Sequence, residues 1–193
     1  AYNKANEDIT SQVFAASGFM KVDADYTARP YAEWSAGDWP KTYQNPSYRN
    51  LFAIGIAFAP PHLISKPMQS ANGTPINPAP PRTGMPSAAM AIAVAKSICD
   101  MINGAEAPTH TASMAKMGAA CVASTGAHLL RGSAATMTVY PIVPDYETYP
   151  EYGRDLELTF GEIGLAGHWL KTLLHHTFIY QARLKPGWRF LPD

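Results

Sequence analysis

Two groups of residues in this sequence have types and spacing that could perform chemistry. The first is Cys121, which lies in a run of small residues, Gly-Ala-Ala-Cys-Val-Ala-Ser over 118–124, that leaves room for a substrate to approach its sulfur. A thiol reacts as the thiolate, which a nearby positive group or helix end favours. A free cysteine is nevertheless more often a buried structural residue. The local sequence therefore leaves a reactive and a structural role open for Cys121.

The second group stands where an apolar run, a proline-rich loop and a helix meet. The run Leu-Phe-Ala-Ile-Gly-Ile-Ala over 51–57 predicts a buried strand, and seven prolines from Pro60 to Pro81 exclude regular structure after it. Arg82 and Thr83 then precede a helix that we expect to begin at Gly84, with Thr83 as its N-cap. The first N–H groups of a helix lack an internal partner and its dipole is positive there, which suits an anion or an electron-rich ring.

The elements that must position these residues can be read from the pattern. The helix from 84 to about 103 is apolar or small almost all round, so we expect it to be buried, with Cys99 as a structural residue and Asn103-Gly104 at its end. Strands predicted around 114–124, 135–143 and 156–160 would form a small antiparallel sheet. The predicted fold class is therefore α+β, with a buried helix and a carboxy-terminal amphipathic helix.

The terminal helix, predicted over about 162–184, has one broad apolar arc and one basic-leaning polar arc that contains three histidines. Its aromatic and flanking basic residues fit a helix at a membrane surface, but the apolar arc could equally cover the sheet. The histidine spacing does not favour a metal site, and we predict none. Nearer the start, the alternation over 19–27 predicts a half-buried strand or an arm of a hairpin. The segment 28–49 is interpreted as an ordered insertion with Trp34 and Trp39 as packing anchors.

Composition limits the remaining classes of function. Of 193 residues 47% are hydrophobic and 16% charged, and the formal net charge is zero, so nothing suggests a nucleic-acid partner. Two cysteines are too few for a disulfide framework or a zinc motif. We expect no spanning helix, because no uninterrupted apolar run reaches about eighteen residues, and no signal peptide, because the first residues are polar.

Several segments together resemble one family of flavoproteins. NLFAIGIAFAPP resembles the second flavin-contacting strand of flavoproteins with two dinucleotide-binding domains, and APPRTGMPSAAMA resembles the helix whose amino end points at the flavin pyrimidine edge. MGAACVASTG resembles the carboxy-terminal cysteine strand of sulfide:quinone oxidoreductases, and HWLKTLLHHTFIYQARLKPG resembles their membrane-resting terminal helices. The order and rough spacing agree over about residues 15–187.

The resemblance implies a fold, a cofactor and an activity. The family has two Rossmann-type domains and a membrane-binding carboxy-terminal domain, carries FAD, oxidises sulfide at a cysteine pair and passes two electrons to quinone. Cys121 would be the redox cysteine, attacked as a disulfide by sulfide to give a persulfide. The residues implied to contact the flavin are Gly55, Ile56, Arg82, Thr83 and Gly84. Those implied to contact quinone or lipid are Trp169, Phe178 and Tyr180.

The chain departs from the family pattern in two respects. It has no GxGxxG turn for the pyrophosphate, and the partner of the redox cysteine is missing. We therefore expect a carboxy-terminal piece of a longer enzyme, inactive alone. Its divisions would be a flavin-domain remnant over 1–60, a proline-rich loop over 61–82 and a carboxy-terminal domain over 83–193.

The resemblance also implies partners and a location. We expect a homo-oligomeric, peripheral membrane protein that acts on sulfide and quinone. Two other classes stay open. One is a different membrane-bound FAD oxidoreductase of the NADH:quinone type, which needs no cysteine pair. The other is a non-enzymatic interaction or dimerisation module.

Overall fold

The computed structural model describes residues 1–125 and 130–191, and these form two compact units. The first unit comprises 1–119 and 140–155, and the second comprises 120–139 and 156–193. Helices and a small antiparallel sheet are both present, which confirms the predicted α+β class. The predicted divisions at 60 and 82 concern a parent flavoprotein and stay a prediction; the contacts within this chain group its residues differently.

The first unit is built mainly from irregular chain around an aromatic core. The side chains of Trp39, Tyr43 and Phe58 are almost completely buried, and Trp34 is 9% exposed, so both predicted tryptophan anchors are confirmed. The carboxylate of Asp23 accepts backbone hydrogen bonds from 41, 42 and 43 and so ties two loops together. The predicted strand over 19–27 is wrong. The carboxylates of Asp23 and Asp25 accept hydrogen bonds from loop backbone, whereas in a half-buried strand these side chains would point to solvent.

The long helix of the first unit, α2, runs from Gly84 to Ile102, close to the predicted bounds. The short helix α1 (Thr10–Val13) precedes it in the chain. Only one face of α2 is buried, with Met90, Ala93 and Val94 in the core, so the prediction of burial all round is wrong. The opposite face exposes apolar residues, including Ile102 at 78%. Among the described helices, α2 alone has the length and composition to cross a membrane, a test that core helices also pass.

The predicted buried strand over 51–57 is also wrong in its conformation. Phe52 makes one isolated antiparallel bridge with Gln44, and the chain then forms a 3₁₀ turn from Gly55 to Ala57. The proline-rich loop that follows carries a two-stranded hairpin, β1 (Met68–Gln69) and β2 (Pro75–Ile76). The turn interrupts the strand because Gly55 has φ +60°, a conformation in which the extended ladder cannot continue.

The second unit contains the three-stranded sheet. Its strands are β3 (Ala119–Thr125), β4 (Ser133–Val139) and β5 (Gly161–Gly164), and β4 lies between the other two. Strands β4 and β5 pair antiparallel, with Ala134 opposite Gly164. The third strand therefore begins after the predicted 156–160 segment, which precedes it as irregular chain. The Phe160 carbonyl still accepts a hydrogen bond from the Thr138 N–H.

Helix α3 spans Leu165–Ala182 and follows β5 directly. It packs on β4 at Gly167, where an added Cβ would collide with Thr136 and lie 3.2 Å from the Ala134 Cβ. The predicted helix start at 162 is wrong, because Gly161–Gly164 form strand β5 and pair with β4. Part of the predicted apolar arc is exposed in the described chain, with Leu173 at 63%, whereas Leu174 on the same arc is half-buried.

Candidate functional site

The turn at Gly55 is seated against the first turns of α2. The Gly55 N–H points at the Met90 sulfur, 3.4 Å away, and a Cβ on Gly55 would lie 2.9 Å from the Ser87 hydroxyl oxygen. That hydroxyl donates a 3.0 Å hydrogen bond to the Arg82 carbonyl. The sequence pattern predicted that the Gly55 segment and the start of the helix meet, and in the first unit the two are in contact.

The start of α2 presents unused backbone donors on an exposed surface. Ile56 is 74% exposed, and Thr83 and Gly84 are also exposed. The Ser87 N–H bonds the Thr83 carbonyl, so the N–H groups of Gly84 and Met85 have no intrahelical acceptor. Thr83 occupies the predicted N-cap position, but its side chain makes no capping hydrogen bond. This surface can therefore bind acceptor atoms of an anion or a polar ring.

The Arg82 side chain packs against aromatic rings of the first unit. Its guanidinium carbon lies 5.4 Å from the centre of the Phe58 ring and 5.9 Å from that of Phe19. Burial lowers the pKa of the Arg82 guanidinium from its ordinary value. The Nη1 atom is buried and has no hydrogen-bond partner within the described residues. A guanidinium in this environment keeps its charge while leaving a donor unused.

The two cysteines are both free, and they differ in exposure. Cys121 lies in β3 of the second unit and is half-buried. Cys99 lies in α2 of the first unit and is exposed, so the expectation of a buried structural residue there is wrong. Its position on the solvent side of the helix explains this, since only the opposite face enters the core.

The aromatic residues predicted to contact quinone or lipid all lie on α3. Trp169 is 48% exposed and Phe178 is 43% exposed, whereas Tyr180 is half-buried. Phe178 stands nine residues after Trp169, half a rotation around the helix, while Tyr180 stands eleven residues after it on nearly the same side. The Tyr180 hydroxyl donates a 2.7 Å hydrogen bond to the Pro186 carbonyl. The three residues therefore do not form one cluster, and their role stays a prediction.

Two polar pairs were not found from sequence. In the second unit, the Ser124 hydroxyl and the His168 Nδ1 are 2.9 Å apart, although the residues are 44 positions apart in the chain. In the first unit, the Trp39 indole N–H donates to the Nδ1 of the buried His62. No local pattern signals either pair. Within residues 1–125 and 130–191, no three His, Cys, Asp or Glu side chains are grouped as a metal site.

Comparison with known proteins gives a distant relative. No protein-family model matches the chain, and no solved structure matches it. The sulfide-quinone reductase of Aquifex aeolicus (strain VF5) is 29% identical over 143 residues, which are 74% of this chain and 27% of that protein. The chain thus spans about a quarter of the length of the curated relative it matches. This similarity supports a relationship to an oxidoreductase, and the chain is similar to part of a sulfide-quinone reductase.

Proposed function

We propose that this chain is the carboxy-terminal part of a membrane-associated oxidoreductase that oxidises sulfide and passes the electrons through FAD to a quinone. The similarity over 74% of the chain carries the proposal. The contact between the Gly55 turn and the start of α2 supports it, because the resemblance assigns both segments to the flavin. The activity belongs to the longer protein, and the chain alone is proposed to be inactive.

The donors at the start of α2 fit the chemistry of a flavin. The N–H groups of Gly84 and Met85 have no intrahelical acceptor and belong to exposed residues, and a flavin ring carries carbonyl oxygens that accept such bonds. Thr83 and Ile56 would border the bound group, and Arg82 would add positive charge at the same end of the helix. When bound, FAD supplies a two-electron acceptor.

Cys121 is proposed to carry the sulfur chemistry. Hydrosulfide would attack the Cys121 sulfur in a disulfide formed with a second cysteine of the longer protein. The old sulfur–sulfur bond breaks, the partner cysteine leaves as a thiolate, and a persulfide forms on Cys121 while the hydrosulfide proton goes to water. Its half-buried position in a run of small residues leaves the sulfur approachable.

The exposed apolar arc of α3 is proposed to rest on the membrane surface near the quinone. Trp169 and Leu173 lie on this arc and are 48% and 63% exposed. Lys185 and Arg189 follow the helix and lie beside aromatic rings, an arrangement common at lipid headgroups. Self-association through the same arc would give the proposed homo-oligomer when no membrane is present.

The test uses the longer protein that contains this chain. The protein is purified, its flavin absorption is recorded, and sulfide is added without oxygen to the unaltered protein and to Cys121→Ser. Cys99→Ser is the matched control, because it removes the exposed cysteine of the other unit. We expect bleaching of the flavin band in the unaltered and Cys99→Ser proteins and none in Cys121→Ser.

Other results would assign a different class. A flavin band that bleaches equally in all three proteins would refute the role of Cys121. If the flavin bleached with NADH instead of sulfide, the protein would be an NADH:quinone type oxidoreductase. A longer protein without any flavin would leave only the interaction module.

A further inference from the structure

The proline-rich loop, which the proposed function does not use, forms one wall of a small pocket in the first unit. The pocket has a volume of about 150 Å³ and is bordered by Trp39, His62, Asn77 and Arg82, with four prolines among its other lining residues. This volume equals roughly five water molecules in the liquid and is below the usual range for drug-sized ligands. Its occupant must therefore be a compact group.

Arg82 and His62 bring side-chain hydrogen-bond donors to the wall of this pocket. Arg82 contributes a cationic guanidinium whose Nη1 is buried and has no hydrogen-bond partner among the described residues. No Asp or Glu is among the described residues that line the pocket, and Arg82 makes no ion pair within the described chain. The guanidinium carbon lies within 6 Å of the centres of the Phe19 and Phe58 rings. A half-buried cation without a carboxylate favours an anion beside it.

The hydrogen bond from Trp39 fixes the tautomer of His62. An indole N–H can only donate, so the Nδ1 that receives it carries no proton. A neutral imidazole then carries its proton on Nε2. The ring of His62 therefore offers one further donor, the Nε2–H, and no further acceptor. Burial lowers the pKa of His62 to about 4, so the ring is neutral at pH 7. The ring also stacks on Trp34, with centroids 4.7 Å apart, which holds its orientation.

We propose that this pocket binds a small free oxyanion, of the size of phosphate or sulfate, between the Arg82 guanidinium and the Nε2–H of His62. Asn77 at the rim adds an amide that can donate a further hydrogen bond. The four lining prolines contribute no N–H groups of their own, so the donors that we assign to the anion are these side chains. The site shares Arg82 with the proposed flavin surface, but it goes beyond the proposed function because it requires neither a flavin nor Cys121.

The test is a titration of the ¹⁵N-labelled 193-residue chain with sodium phosphate at pH 7, with sodium chloride at equal ionic strength as the reference. We expect saturable shifts of the Trp39 indole N–H and the Arg82 Nε–H signals with one shared Kd. Sulfate should produce the same pattern. Phenyl phosphate should bind more weakly, because the pocket has no room for a ring.

Two variants assign the effect to the pocket. Arg82→Met should weaken phosphate binding on the order of tenfold to a hundredfold, because a charge-assisted hydrogen bond is lost. Arg49→Met removes an equal charge from an exposed arginine of the same unit and should leave the Kd unchanged. The titration of the unaltered chain is decisive on its own if Arg82→Met does not fold.

Three results would overturn the proposal. Shifts that chloride reproduces, or that do not saturate, would show ionic-strength effects instead of a site. An Arg82→Met chain that binds phosphate as tightly as the unaltered chain would remove the proposed cation from the site. Tighter binding of phenyl phosphate than of phosphate would refute a pocket for the free ion.

Discussion

Replacing Gly55 with alanine should loosen the contact between the 3₁₀ turn and α2. Gly55 has φ +60°, where an L-residue costs about 1–2 kcal/mol more than glycine. The new Cβ would also lie 2.9 Å from the Ser87 hydroxyl, which would have to move and weaken its bond to the Arg82 carbonyl. Losing that bond adds about 0.5–1.5 kcal/mol. We expect Gly55→Ala to destabilise the first unit by about 2–3 kcal/mol.

The assay is a double-mutant cycle with Ser87→Ala in the 193-residue chain, with a readout confined to the first unit. The slowest-exchanging amides of α2 report the free energy of opening of that unit without assuming that both units unfold together. Ser87→Ala removes the oxygen at 2.9 Å and leaves the Ser87 Cβ position at 3.6 Å, an ordinary contact. In that background Gly55→Ala should therefore cost only the backbone term of about 1–2 kcal/mol.

Gly73→Ala is the matched control for the backbone term. Gly73 has φ +76°, and a Cβ there would meet nothing within 4 Å, so its replacement carries conformational strain without a collision. Gly55→Ala should be more destabilising than this control by about 0.5–1.5 kcal/mol. An equal effect of Gly55→Ala with and without the Ser87 hydroxyl would refute the steric argument.

Three further predictions follow from the same geometry. Because the pKa of His62 is lowered to about 4, the ring stays neutral in the folded chain, while in the unfolded chain it takes up a proton below about pH 6.5. The free energy of unfolding should therefore fall by roughly 2 kcal/mol between pH 6.5 and 4. Urea unfolding of His62→Gln should lack this loss. Gly167→Ala should detach α3 from β4 and speed amide exchange in α3, although alanine favours helices, and adding Thr136→Ala should restore much of the protection. Cys99, being exposed, should react with a thiol reagent faster than the half-buried Cys121, which mass spectrometry of the two labelled peptides measures; equal rates would contradict the placement of these thiols.

Periodicity and local signals determine several elements of this fold. The bounds of α2 follow from Thr83 and the first-turn Pro86 at one end and from Asn103-Gly104 at the other, and these signals are local. The two tryptophans of the 28–49 segment were correctly predicted as anchors because large apolar side chains are preferentially buried. The α+β class follows from the same kind of evidence.

Features that depend on contacts between distant segments could not be predicted in this way. The run 51–57 has the composition of a strand, but the close fit of Gly55 against Ser87 makes it a turn. The exposed side of α2 that carries Cys99 also carries Ile92, Ile98 and Ile102, so an apolar composition did not identify which side would be exposed. Strand β5 takes residues that continue the helical pattern of α3, because pairing with β4 satisfies their backbone groups.

The candidate site likewise has some features that the sequence determined and others that depend on tertiary contacts. The sequence alone determined the residue types at the start of α2, the small neighbours of Cys121 and the order of segments that resembles one flavoprotein family. Only the tertiary structure decided that Arg82 lies against two phenylalanine rings and shares a pocket with His62, 20 positions earlier in the chain. Local sequence determines which chemical groups are present and which local conformation the chain prefers. Whether a side chain is buried, and whether its donors find a partner, depends on which distant segments pack around it and exclude water.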